Sequence, residues 1–144
     1  MDALNEWTRS YQFAKRHFAE GDMNNSYRSG LKCWGILRDT FNRVDDEGQI
    51  YLLGLLYKTA MIVFKSVKET RCRHFSENQL FIAMQNYRAI IDNPYYYETV
   101  QARANQYYQK VSRALDKFRL ERSKKQTTNY QSHVPPKRAH IRLV

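Results

Sequence analysis

Apolar residues recur at alternating three- and four-residue intervals along most of the chain, and that rhythm constrains the fold more than any other feature. The first run is Leu4, Trp7, Tyr11, Ala14 and Phe18. At about 100° per residue such positions share one face of a helix. Asp2 suits the start of this helix and Gly21 its end. A second run, from about Asn25 to Arg43, carries Tyr27, Leu31, Trp34, Leu37 and Phe41. Gly30 and Gly35 interrupt its surface, so a neighbouring helix can come close there.

The third run begins at Asp45-Asp46-Glu47, acids that favour a helix N-terminus. Ile50, Leu53, Leu56, Ala60, Val63, Phe64 and Val67 form its stripe, and Leu52, Leu55 and Ile62 widen it. A face that wide predicts a central helix. Tyr57, Lys58, Thr59 and Lys65 make the stretch too short and too polar to span a bilayer. Ser76-Glu77-Asn78-Gln79 has the form of a capping box and predicts the start of a fourth helix, with Leu80, Ala83, Met84, Tyr87, Ile90 and Ile91 inside. Asn93-Pro94 predicts a stop and a new start. The fifth run, from Pro94 to about Lys124, carries Tyr97, Val100, Ala104, Tyr107, Val111, Ala114, Leu115 and Phe118.

Only five glycines and three prolines occur in 144 residues, too few for the many turns of a sandwich or barrel. Short links between sequential helices make them antiparallel neighbours. The expected fold is all-α: about five antiparallel amphipathic helices, as an up-and-down bundle or a stack of helical hairpins. Residues 1–122 form the helical domain, and residues 123–144 a flexible basic tail. No internal repeat is present.

Charge is unevenly placed. Residues 1–116 hold 16 Lys and Arg against 13 Asp and Glu; residues 117–144 hold eight against Glu121 alone. A positive field concentrated at one end attracts polyanions. On the fifth helix Arg103, Lys110, Arg113, Lys117 and Lys124 fall in one sector, while Glu98 and Asp116 turn to the other flank. Cations in register are what a helix laid along a phosphate backbone requires. The expected contacts are therefore Arg103, Lys110, Arg113, Lys117, Arg122, Lys124 and Lys125, with Lys137 and Arg138 in the tail. Tyr95 and Tyr96 are the candidates for stacking on bases, with Tyr97 and Tyr107 on the core face. An ordinary solvated helix face has the same composition.

Other chemistry finds little footing. The sequence contains no glycine-rich phosphate loop, nucleophile elbow or paired-histidine motif, so neither an enzyme nor a bound cofactor or metal is expected. Cys33 and Cys72 fall among apolar neighbours and read as buried free thiols. The acidic N-terminus lacks an apolar leader. Both point to an intracellular protein, cytoplasmic or nuclear. A helix-turn-helix built on the third and fourth helices is disfavoured, because no cation occurs between Ser76 and Tyr87. The leading expectation is a non-enzymatic nucleic-acid-binding or regulatory protein, for RNA or DNA. The alternative is a helical protein-interaction module or self-associating adaptor, motivated by Leu52, Leu55, Ile62 and Phe81 as surplus apolar surface. Trp7 and Trp34 are expected to pack together in the core. Membrane and small-molecule partners are not expected.

Overall fold

A computed structural model describes residues 2–133, with side chains as far as Lys124. It contains five α-helices and, among the described residues, no strand: α1 (Asp2–Ala19), α2 (Met23–Thr40), α3 (Asp46–Lys68), α4 (Arg73–Ile91) and α5 (Glu98–His133). A 3₁₀ turn, Phe41–Arg43, follows α2.

The first two links follow their sequence signals. Gly21, at φ 80°, takes the left-handed conformation that glycine adopts at least cost. Its N–H donates to Phe18 O, and the next N–H, of Asp22, donates to His17 O. These two bonds close a Schellman turn. Asp22 then caps α2 by accepting from the Asn25 N–H at 3.2 Å. Asp45 caps α3 by accepting from Gly48 at 2.8 Å.

The next two links depart from expectation. α4 starts at Arg73, with Cys72 as its N-cap residue, a turn ahead of the Ser76 box. The Ser76 hydroxyl is buried and donates to Val67 O and Cys72 O, each at 3.2 Å. It ties α4 to the end of α3 instead of capping its own helix. α5 starts at Glu98, not at Pro94. Asn93 Oδ1 accepts from the Tyr95 N–H at 3.0 Å, and Gln101 Nε2 donates to Asn93 O at 2.8 Å. These bonds hold residues 94–97 in a non-helical turn. Tyr97, expected on the core face, is therefore 69% exposed, while Tyr96 turns inward.

α1 and α2 form one antiparallel hairpin and α4 and α5 another, with α3 between them. α3 is the one described helix long and apolar enough to cross a membrane, but here the two hairpins cover it. Leu52, Leu55 and Ile62, expected to be surplus, are buried under the first hairpin. Gly30 of α2 allows that contact, since a Cβ there would lie 2.6 Å from Val63 Cγ2. Trp7 donates through Nε1 to Thr59 Oγ1 at 3.0 Å and stacks on Tyr11 at 4.7 Å. Trp34 does not join it and packs against the cluster formed by α3, α4 and α5. On that side Leu53, Ala60 and Phe64 meet Leu80, Tyr87, Val111 and Phe118. The Tyr87 hydroxyl donates to Leu53 O at 3.0 Å, so burying this ring leaves no polar atom unmatched.

Candidate nucleic-acid interface

Strict alternation makes α1, α3 and α5 run one way and α2 and α4 the other. The register of α3 beside α5 is fixed by four contacts. The Tyr57 and Tyr107 rings are 5.6 Å apart, and Lys110 Nζ is 5.6 Å from the Tyr57 ring centre. Phe118 meets Phe64 edge-on at 5.1 Å, and Lys68 is 3.9 Å from Glu121. Lys58 of α3 therefore lies level with Lys110 of α5, and Lys65 level with Lys117. One heptad, about 10 Å of helix, separates the two tiers. A heptad earlier, exposed Tyr51 lies level with Arg103.

These side chains form a face in which α3 is the floor and α5 one wall. Lys58, Lys65, Arg103, Lys110 and Lys117 are all exposed. Among the described residues none of the five is in an ion pair. Some cations elsewhere are matched: Arg38 with Asp39, Arg88 with Asp92, and Arg73 and Arg119 with Glu77. Burial pushes the Glu77 carboxyl up, but the guanidiniums of Arg119 and Arg73, at 3.0 and 3.3 Å, outweigh that and hold it below the ordinary value. Glu77 thus draws Arg119 away from the basic face. Lys110 lies over Tyr57 and Tyr107 together, which orients its ammonium outward at little entropic cost.

The expected residues divide accordingly. Arg103, Lys110 and Lys117 belong to this face. Arg113 is exposed and turns back on its own helix, donating through Nε to Gln109 O at 3.3 Å. Arg122 is half-buried, with its guanidinium 5.7 Å from the Phe118 ring centre, so it packs rather than projects. Lys124 is exposed at the end of the described side chains. The Lys125 side chain lies outside the described side chains, and Lys137 and Arg138 outside the described residues. Tyr95 is 73% exposed, but in the turn before α5. Tyr96 is not free to stack: its ring meets Phe41 edge-on and its hydroxyl donates to Asn42 at 2.7 Å. Tyr51, 57% exposed, is the aromatic that the fold sets beside the cations.

Lys58, Lys65 and Tyr51 were not singled out from the sequence. Their heptad spacing on the polar side of α3 was the available signal. Its meaning depends on α3 and α5 being parallel neighbours. Cys33 is buried as expected, and its thiol is pushed up to about 12 by burial. Cys72, expected to be buried, is exposed at the N-cap of α4. Among the described residues no group of three His, Cys, Asp or Glu side chains converges. No protein-family model, curated protein or solved structure matches the chain.

Proposed function

We propose that this is a non-enzymatic nucleic-acid-binding protein that contacts the phosphate backbone through the shared face of α3 and α5. One observation carries the reading: five exposed cations from two parallel helices stand side by side without carboxylate partners. An unmatched cluster costs self-repulsion, and a polyanion relieves it. Lys58, Lys65, Lys110 and Lys117 supply two tiers of phosphate contacts, with Arg103 beyond them. Tyr51 supplies a ring for an unpaired base. Contacts to phosphate carry no sequence information, so binding is largely independent of sequence.

Fluorescence anisotropy with labelled duplex and single-stranded RNA and DNA tests it. Five phosphate contacts on duplex DNA give a salt slope of about −4.5, or roughly a 500-fold loss of affinity between about 50 and 200 mM salt. The triple variant Arg103→Glu/Lys110→Glu/Lys117→Glu should abolish binding while leaving helicity unchanged. Equal binding by that variant, or no wild-type binding at the lowest salt, removes the reading.

A further inference from the structure

The opposite side of α3 is open in a different way. Among the described residues α2 and α4 do not pack backbone against backbone. They flank a groove whose floor is Leu52 and Leu56 of α3. Two cavities, of about 200 and 630 Å³, share Trp34, Arg38 and Asn86 and so form one trough. An aromatic pair marks each end: Tyr27 with Phe75 at 6.1 Å, and Phe41 with Tyr96 at 5.6 Å. From Tyr27 to Phe41 the trough follows about 21 Å of α2. That length accommodates about six residues of extended chain.

We propose that this trough binds an extended, acidic peptide segment of a partner protein that carries apolar side chains. Three features select that occupant. First, amides line the α4 wall. Asn78 and Asn86 are eight residues apart, about 12 Å along the helix, close to four residues of extended chain at about 13 Å. An amide offers a donor and an acceptor together, as a peptide backbone does. Asn86 Nδ2 donates to Ile82 O at 2.9 Å, which leaves its carbonyl oxygen for the ligand. Second, between the amides Ile82 faces Leu31 and Trp34 across the trough, a place for apolar side chains. Leu31 is 41% exposed and has no covering element. Third, no carboxylate lines either cavity, whereas Arg38, whose exposed partner Asp39 at 3.5 Å lies outside both linings, lines both. Arg71, exposed and in no ion pair, stands 5.3 Å from the Phe75 ring at one end. The charge complementarity therefore favours an acidic peptide over a basic one.

The test uses three fluorescein-labelled decapeptide pools on the full chain: apolar residues mixed with Asp and Glu, with Lys and Arg, and with Ser and Gln. Anisotropy is read at about 100 mM salt, where charges more than about 10 Å apart are largely screened. ¹⁵N-resolved NMR follows the indole N–H signals of Trp34 and Trp7. The acidic pool should bind at least tenfold more tightly than the basic pool and shift Trp34 but not Trp7. Asn78→Ala/Asn86→Ala, a change on the surface of α4, should weaken binding about tenfold without lowering the melting temperature. Equal binding of all pools, an unmoved Trp34 signal, or full affinity in the double variant would overturn the proposal. So would displacement of the peptide by RNA at one-to-one ratio, which would assign the trough to the nucleic acid, or a dimer that buries Trp34 in the absence of peptide.

Discussion

Lys58 and Lys65 separate a two-helix face from a stripe on α5 alone. Both are exposed on α3 and in no ion pair, and glutamine matches lysine in helix propensity. Lys58→Gln/Lys65→Gln should therefore leave the melting temperature within about 3 °C of wild type, since each such surface change costs under about 0.5 kcal/mol. The effect on binding follows from counterion release. Each lost phosphate contact lowers the salt slope on duplex DNA by about 0.9. Referred to 1 M salt, where the electrostatic contribution vanishes, that is about eightfold in affinity at about 0.1 M, and roughly 60-fold for the pair. The assay is anisotropy of a labelled 20-base-pair duplex at four KCl concentrations between about 50 and 200 mM. Arg113→Gln is the matched comparison on α5 alone, because the Arg113 guanidinium is engaged with Gln109 O of its own helix; it should alter the slope by less than about 0.9, one contact. If the α3 double variant keeps the wild-type slope while Arg113→Gln lowers it, the phosphates run along the outside of α5 and the shared face is refuted.

Three further expectations follow from the packing. A thiol reagent at neutral pH should modify Cys72 quickly and Cys33 only after denaturation; two fast equivalents per chain would contradict the burial of Cys33. Gly30→Ala should destabilise the fold by about 1–3 kcal/mol in urea melts through overpacking, despite the better helix propensity of alanine, because the new Cβ would meet Val63 Cγ2 at 2.6 Å; a neutral or stabilising result would mean the hairpin on α3 is looser than it looks. Glu77, whose carboxyl is held below its ordinary value, contributes stability that is present above the unfolded-state value near 4.3 and is lost as pH falls through the lower folded value; the stability gap between wild type and Glu77→Gln should be full at neutral pH and close at the acid end, and a constant gap from pH 7 to 3 would show that the charge is not what matters.

The helices were legible because their apolar stripes are long, and a stripe of four or five members survives an error in any one residue. Their ends were less legible because end signals are local and ambiguous. Ser76 satisfies the pattern of a cap, but a buried hydroxyl that reaches Val67 O at the end of α3 and Cys72 O at the start of α4 gains more inside the bundle than at a solvated N-terminus. Asn93-Pro94 does stop α4, yet the same asparagine holds Tyr95 in a turn and delays α5 by four residues. That delay turns Tyr96 inward and Tyr97 out, which explains why the stacking candidates were misplaced. The basic stripe of α5 was visible by arithmetic on one helix. Lys58 and Lys65 were invisible as part of it, because their neighbours are set by the register between α3 and α5, which no local pattern encodes. The groove between α2 and α4 was hidden for the same reason.

The alternation of helices also explains why one small bundle presents two such different surfaces. Short links force every second helix to be parallel, and two hairpins laid on a central helix leave two gaps. One gap is flanked by α1 and α5, with the lysines of α3 on its floor; the other is flanked by α2 and α4, with Leu52 and Leu56 below. The surfaces are thus separated by α3 itself, about 10 Å across. Both proposed ligands are anionic, so each weakens the field that attracts the other. At about 0.1 M salt the Debye length equals that separation, and at about 0.01 M it is near 30 Å. An acidic peptide bound in the trough should therefore leave nucleic-acid affinity nearly unchanged at about 0.1 M salt and reduce it at about 0.01 M. Because binding free energies are reciprocal, nucleic acid should reduce peptide affinity by the same factor. Competition that persists undiminished at high salt would mean that the two ligands share one surface, and the division of the bundle into two working faces would fail.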